Sequence, residues 1–240
     1  MFFRDAMLNS NVGLFRITDG GYMKNTMFVM LFVVLISVCA QGQENRSPTP
    51  LEDINVEFMM RGYFLAGSLF KKDEEGFGGF GGSSNYPKAL DKVAPDGVVS
   101  LIAMPDQDVI FAKKYKGLKV LLINGMDGRV KFTASDSRLS IVQEALDADG
   151  QWKPVEYLPG SFCGNSYHIV SLGPKEYWEF AAARYKGKFK TRLRFRLDWN
   201  KSENENLRIY SNEFDGSVNA EQFTVMQGHK RSSIMDPYIN

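Results

Sequence analysis

Apolar and charged side chains alternate most strictly between residues 188 and 199. The apolar positions of this stretch are Phe189, Leu193, Phe195, Leu197 and Trp199. Successive side chains of a strand point to opposite faces, so the pattern predicts a strand with one buried and one solvent-facing side. Burial contributes about 1.5 to 3 kcal/mol per apolar side chain, so we expect this strand to be central to stability.

From residue 98 onward, short apolar runs are separated by turn residues, a pattern typical of an all-β domain. The pattern predicts strands at 98–103, 118–123, 129–134, 139–144, 152–157, 167–172, 177–180, 189–199 and 207–211. Asp-Gly pairs at 96–97, 127–128, 149–150 and 215–216 are predicted as turns, because they tolerate the positive φ angles of tight hairpins. No helical period separates the strands, which favours antiparallel sheets packed face to face.

Residues 27–38 are apolar apart from Ser37, follow Lys24 and precede Cys39. The run is too short to span a bilayer, and with the small residues after it the pattern predicts a signal peptide over residues 23–42. Residues 1–22 are then expected to be a mis-assigned upstream extension, and no transmembrane span is expected in the mature chain. The alternatives are an internal buried helix or membrane anchor, and a lipid attached at Cys39.

The remaining chain divides by composition. Residues 43–53 are predicted as a linker, although residues 49–52 also fit a helical capping box. Residues 54–97 form an N-terminal addition that contains a glycine-rich surface loop at 76–84. Ile54, Val56 and Phe58 alternate as in a strand, which is the favoured prediction, although Ile54, Phe58 and Leu65 also keep near-helical steps. The sandwich domain is assigned to residues 98–216 and a C-terminal tail to residues 217–240.

Composition narrows the function classes. The chain has 240 residues, with 44% hydrophobic and 24% charged side chains, which is ordinary for a globular protein and excludes collagen or long disorder. Its 29 basic and 28 acidic residues provide no overall field for binding nucleic acid or an anionic membrane. Without residues 1–42 one cysteine remains, Cys163, so the hydrophobic core must hold the fold without an intrachain disulfide.

Three segments suggest a family. Residues 172–180 are predicted as a turn and a strand, residues 185–193 as a loop and a Gly-x-aromatic strand, and residues 209–214 as a closing strand. Over about residues 116–215 this order resembles the immunoglobulin-like β-sandwich modules of bacterial extracellular proteins. The resemblance implies a mainly β, antiparallel immunoglobulin-like sandwich. The paired cysteines of antibody domains are missing, which leaves the strand order open, and the resemblance implies no catalytic residues.

Cations recur at every second position from Arg184 to Arg196. On one strand face they would stand about 6.6 to 6.8 Å apart, a spacing suited to an anionic glycan, a lipid headgroup or a nucleic-acid backbone. The candidate binding residues of this cation ladder are Lys190, Arg192, Arg194 and Arg196. The alternative is a solvated face whose cations pair across strands with Glu144, Glu156, Glu176 or Glu179.

A thiol and an imidazole lie close together in the sequence at Cys163 and His168. A cysteine nucleophile needs a nearby base, but five residues apart on an extended chain the two side chains point to opposite faces. No protease motif surrounds them, so the pattern favours a packed cysteine and a hydrogen-bonding histidine. The pair is kept as a candidate catalytic site.

Four aromatic residues, Trp152, Tyr157, Phe162 and Tyr167, flank the irregular segment 158–161. Trp152 and Tyr167 are candidates for stacking on a sugar ring, and the alternative is that these rings close the end of the core. Residues 147–151 resemble a calcium loop only superficially and are predicted as a hairpin turn. No spaced set of zinc ligands is present, so neither a metal nor another cofactor is expected.

The expected function is a non-catalytic binding or structural module of the bacterial envelope, secreted or periplasmic. The candidate partners are an anionic glycan and an envelope protein. One alternative is a thiol-dependent enzyme or inhibitor that uses the segment from Cys163 to His168. Another is a subunit of a surface assembly, of which an unpaired sheet edge would be the structural sign.

Overall fold

The computed structural model describes residues 50–91, 97–202, 205–231, 233 and 236–239. The predicted upstream extension, the signal peptide with Cys39 and most of the predicted linker lie outside these residues. Within them, no helix is long and apolar enough to cross a membrane.

Strands dominate the described part of the chain, in which no α-helix occurs. The strands are β1 (Met60–Arg61), β2 (Glu75–Gly76), β3 (Lys88–Ala89), β4 (Val99–Phe111), β5 (Tyr115–Asn124), β6 (Val130–Ser135), β7 (Arg138–Leu139), β8 (Ile141–Leu146), β9 (Trp152–Pro154), β10 (Glu156–Tyr157), β11 (Gly160–Ser161), β12 (Tyr167–Leu172), β13 (Glu176–Ala183), β14 (Phe189–Ser202), β15 (Glu205–Tyr210), β16 (Phe214–Val218) and β17 (Tyr238–Ile239). Short 3₁₀ turns occupy Lys71–Asp73, Gly164–Ser166 and Ala220–Phe223.

Three antiparallel sheets make up most of the fold. Sheet 1 has the order β3-β13-β5-β4, and sheet 2 has the order β2-β12-β6-β7. Sheet 3 has the order β9-β8-β14-β15. β16 also pairs with β14, on the same side as β15 but nearer the N-terminal end of β14. Two strand pairs complete the set, the parallel pair β1-β10 and the antiparallel pair β11-β17. The prediction of a mainly β, antiparallel fold is confirmed, and the arrangement is consistent with a β-sandwich.

Aromatic side chains join the sheets in one hydrophobic core. Phe132 of sheet 2 lies edge-on to Trp178 of sheet 1, with 5.7 Å between ring centroids. Phe64, from the segment before sheet 1, contacts both Phe180 of sheet 1 and Phe195 of sheet 3. The N-terminal segment is therefore part of the core.

The predicted alternation of β14 is confirmed. Leu193, Phe195, Leu197 and Trp199 are buried and Phe189 is partly buried, whereas the intervening cations are more exposed. The strand runs three residues further than predicted, to Ser202, where it still pairs with β15.

Two segments that were each predicted as one strand contain two short strands, which pair with different partner strands. The run 139–144 is interrupted at Ser140, so that β7 pairs with β6 in sheet 2 and β8 pairs with β14 in sheet 3. The run 152–157 is interrupted at Val155, after which β10 leaves sheet 3 and pairs with β1. Val155 is buried, and its N–H donates to Gln143 O.

The turn predicted at Asp215-Gly216 is wrong, because both residues lie inside β16 and pair with β14. A Cβ atom on Gly216 would lie 2.3 Å from Leu193 Cδ1. This glycine therefore allows a close side-chain approach within a sheet.

The strand predicted from Ile54, Val56 and Phe58 is replaced by isolated bridges, from Ile54 to Tyr185 and from Met59 to Met226. Residues 50–52 are not helical, so the capping-box alternative is wrong for them. In the glycine-rich segment, Phe77 is 91% exposed, whereas Phe80 stacks on the His168 ring.

Candidate functional site

Only some residues of the cation ladder lie on one face of a strand. Lys190, Arg192, Arg194 and Arg196 lie on β14, whereas Arg184 precedes that strand and bonds Asp108 at 2.8 Å. Arg192 lies 3.3 Å from Glu213 and 3.5 Å from Asp215. Among the described residues, Lys190 has no acidic partner within 4.0 Å.

Arg194 is held on three sides. Its guanidinium lies 4.2 Å from the Trp152 ring centroid and 4.0 Å from that of Tyr210. Its Nη2 lies 2.8 Å from Glu144, a carboxylate that is 2% exposed and also binds Arg196. Stacking and ion pairing both fix this arginine, so its charge is largely compensated within the protein. Glu144 is thus a cross-strand partner of the kind the second interpretation of the ladder predicted.

The other three acids proposed as partners of the ladder lie elsewhere. Glu176 accepts a bond from Gly173 N–H at 2.7 Å, and Glu179 pairs with Lys88 and Lys119. Glu156 is 4% exposed and accepts bonds from Tyr185 Oη at 2.9 Å and Gln143 N–H at 3.0 Å. The pairing prediction was wrong for Glu156, because β10 has left sheet 3.

Burial raises the pKa of Glu156 to about 7. Burial also raises the pKa of Tyr185, so its phenol stays protonated and donates to the carboxyl. A shifted pKa in a cleft often marks a catalytic group. Here both carboxyl oxygens are bonded to protein donors inside the fold, which indicates a structural role.

His168 is buried and Cys163 is partly buried. His168 is 3% exposed, its Nδ1 lies 3.2 Å from Ser166 O, and its ring stacks on Phe80 at 3.8 Å. Cys163 is partly buried and precedes the 3₁₀ turn at Gly164–Ser166. Within the described residues, no hydrogen bond joins the thiol to the imidazole.

The structure also separates the two candidate aromatic residues. Trp152 lies on β9 of sheet 3, against Arg194. Tyr167 begins β12 of sheet 2, and its hydroxyl donates to Ser161 O. The two candidates for sugar stacking therefore lie in different sheets.

The segment 147–151 is a hairpin turn between β8 and β9, as predicted. Asp147 Oδ1 accepts bonds from the N–H groups of Asp149 and Gln151. Across the described ranges, no group of three His, Cys, Asp or Glu side chains is placed to hold a metal ion.

Sequence reasoning missed an open groove beside β13. It has a volume of about 410 Å³ and its lining is mainly apolar. The lining includes Tyr63, Leu65, Phe111, Tyr115, Phe180 and Ala181. Tyr63 is 49% exposed and Leu65 is 39% exposed, so apolar surface continues onto the rim.

The groove lies along an unpaired stretch of strand edge. β3 pairs with β13 only at Glu176 and Tyr177, and the next backbone bridge in the described chain joins Tyr185 to Ile54. Between them, the side-chain amide of Asn85 donates to Glu179 O at 3.1 Å. Ala181 is exposed and, within the described residues, has no strand partner on this side.

The backbone orientation of Ala181 follows from the hydrogen-bond alternation of β13. Arg184 N–H donates to Lys116 O, and these two residues continue the register in which β13 pairs with β5. In an antiparallel strand, every second residue directs its backbone N–H and C=O towards the same neighbouring strand. Even-numbered residues of β13 therefore face β5. The N–H and C=O of Ala181 then face outward, on the same side as Glu179 O, which accepts the Asn85 bond.

The other edge of sheet 1 is protected. Asn212 accepts a bond from Ala103 N–H of β4 at 2.9 Å and donates to Ala103 O at 3.0 Å. The β4 pairing is also irregular between Met104 and Asp108, a stretch that contains Pro105 and Asp106 and ends at Asp108. Bulges, prolines and charges are ordinary means of preventing strand addition. The β13 edge instead has an apolar groove beside it.

Comparison with known proteins yields no relative: no protein-family model, no curated protein and no solved structure matches the chain.

Proposed function

We propose that the protein is a non-catalytic binding module of the bacterial envelope that captures an extended polypeptide segment by strand addition to β13. The observation that carries this proposal is the open edge at Ala181 beside the apolar groove. Main-chain bonds at a sheet edge supply affinity, and pockets for alternate side chains supply specificity. The envelope location rests on the signal sequence pattern at residues 23–42.

The groove favours an uncharged, apolar segment over an ionic ligand. Its one charged lining residue among the described residues, Glu179, already pairs with Lys88 at 3.4 Å and Lys119 at 3.3 Å. The rings of Phe111, Tyr115 and Phe180 offer apolar and aromatic contacts. A bound strand would direct alternate side chains into the groove, so the preferred segments should alternate apolar and polar residues.

Ala181→Pro tests the proposal because proline removes the outward N–H and leaves the inward β5 ladder intact. A phage-displayed library of short random peptides would be selected on the wild-type protein. We expect alternating apolar sequences, and we expect Ala181→Pro to weaken their binding about tenfold in fluorescence anisotropy.

Ala181→Ser is the matched control, since it keeps the N–H and should bind as the wild type does. Circular dichroism and thermal unfolding of both variants would establish that β13 still forms. The proposal fails if selection enriches no peptide, or if a folded Ala181→Pro variant binds the selected peptides normally.

A second prediction separates this function from thiol chemistry. Cys163 does not line the groove beside β13, so we expect Cys163→Ser to leave peptide affinity unchanged within about twofold. The same anisotropy assay measures this affinity. Loss of binding in Cys163→Ser, with rapid alkylation of the wild-type thiol at pH 6, would favour the thiol-dependent alternative.

A further inference from the structure

A row of three polar side chains crosses the outer face of sheet 2. Tyr167 of β12 is directly opposite Ser135 of β6, and Ser135 is directly opposite Arg138 of β7. Side chains directly opposite across strands share a face and lie close together. The register therefore aligns a phenol, a hydroxyl and a guanidinium.

These three residues line a small pocket of about 200 Å³. The segment from Leu158 to Gly160 forms the facing wall, and Thr133 and Ser140 add two further hydroxyl-bearing side chains. At about 30 Å³ per water molecule, the volume corresponds to roughly seven waters. It suits one polar group of a ligand better than a whole drug-sized molecule, because sites for such molecules begin near 300 Å³.

Arg138 is the one charged residue among the described residues that line this pocket, and it is only 9% exposed. No carboxylate of the described chain lies within 4.0 Å of its guanidinium. The neighbouring Asp136 is occupied elsewhere, because Oδ1 accepts a bond from Gly81 N–H and Oδ2 accepts one from Tyr238 Oη. A buried arginine normally has an anionic partner in direct contact, so this guanidinium can still accept one.

A second arginine adds to the positive potential. The Tyr238 ring lies 4.8 Å from Arg138 Cζ and 5.3 Å from Arg61 Cζ. Arg61 donates to His229 Nδ1 at 3.0 Å and forms no ion pair with a described residue. Burial lowers the pKa of Arg138 and the positive charge of Arg61 acts in the same direction, whereas Tyr238 and Asp136 raise it. A bound anion would further favour the charged guanidinium.

We propose that this pocket binds an oxyanion, with the guanidinium of Arg138 as the charged donor and the Ser135 and Tyr167 side chains beside it. A carboxylate and a phosphate share the required chemistry, since both present two oxygens to a planar guanidinium. The site is separate from the β13 groove, so neither proposal depends on the other.

The test measures binding of three probes to the whole protein at constant ionic strength: sodium glucuronate, inorganic phosphate and neutral glucose. We expect wild-type protein to bind at least one anion and not glucose, and Arg138→Gln to weaken that binding about tenfold or more. Glucuronate binding alone would identify a carboxylate site, and phosphate binding alone a phosphate site. Titration with detection by ligand-observed NMR measures all three probes.

Arg208→Gln is the matched control, because Arg208 is an exposed arginine of sheet 3 and its loss should leave anion binding unchanged. The proposal is overturned if neither anion binds, if glucose binds equally well, or if a folded Arg138→Gln variant binds like the wild type. It is also overturned if Arg208→Gln loses as much affinity as Arg138→Gln.

A measurement on wild-type protein covers the case in which Arg138→Gln does not fold. Phenylglyoxal modifies accessible arginines, and mass spectrometry reports the modified fraction at each site. We expect the anion that binds to slow modification of Arg138 by at least about threefold and to leave Arg208 unaffected. Equal modification of Arg138 with and without the anion would overturn the proposal.

Discussion

Replacing Phe195 by alanine is expected to lower the free energy of unfolding by about 3 to 5 kcal/mol. The ring is 0% exposed and contacts Phe64 at 5.7 Å and Phe214 at 5.8 Å between centroids. Truncation would remove its buried apolar surface and leave a cavity between sheet 3 and the N-terminal segment. Chemical denaturation monitored by circular dichroism measures the change.

Phe77→Ala is the matched control, because the Phe77 side chain is 91% exposed and its removal should change stability by less than about 0.5 kcal/mol. A loss below about 1 kcal/mol in Phe195→Ala would contradict the assignment of Phe195 to the core. Equal losses in the two variants would contradict it as well.

The sequence predicted the buried face of a strand correctly where apolar and polar residues alternate regularly. In β14 the alternation identifies Leu193, Phe195, Leu197 and Trp199 as inward-facing, and all four are buried. A two-residue alternation indicates which face of a strand is apolar, but it does not indicate which neighbouring strand it pairs with. Ser140 and Val155 lie within segments that were each predicted as a single strand, yet the chain changes sheet at both positions.

Gly216 illustrates a second limit of local patterns. Asp-Gly pairs favour tight turns, but tertiary packing of Leu193 against the missing side chain places this pair inside β16. The same reasoning missed β16 itself. Local turn propensity was overridden by a contact between residues more than twenty positions apart.

Neither proposed site could be derived from sequence spacing. The open edge of β13 depends on where β3 ends and where Ile54 reaches Tyr185, which are matters of topology. The row of Tyr167, Ser135 and Arg138 depends on the register of three strands. The sequence analysis named an unpaired sheet edge as the structural sign of a subunit of an assembly. It did not indicate which strand would have the unpaired edge.

Stability is expected to fall as pH rises through neutrality because of Glu156. Its pKa is near 4.5 when unperturbed and is raised to about 7 in the folded protein. Between these values the folded state holds a proton that the unfolded state has released, so the derivative of the unfolding free energy with pH is negative. The contribution of the protonated carboxyl to stability is complete below about pH 4.5 and is lost above about pH 7.

Glu156→Gln isolates this effect. The glutamine amide can accept the bond from Gln143 N–H and donate to the Tyr185 hydroxyl, and it does not titrate. From pH 5 to pH 8 we expect the unfolding free energy of the wild type to fall by about 2.5 kcal/mol more than that of Glu156→Gln. Urea denaturation of both proteins at the two pH values measures the difference.

The comparison between the two proteins removes the titration of the other acidic groups, which they share. Glu179→Gln serves as a control, since Glu179 is a partly exposed carboxylate paired with Lys88 and Lys119 and should leave the fall between pH 5 and pH 8 close to the wild-type value. Parallel pH profiles for wild type and Glu156→Gln would show that the carboxyl is ionised in the fold already at pH 5. The buried contact between Tyr185 and Glu156 would then have to be a charge-assisted bond that offsets the cost of burial.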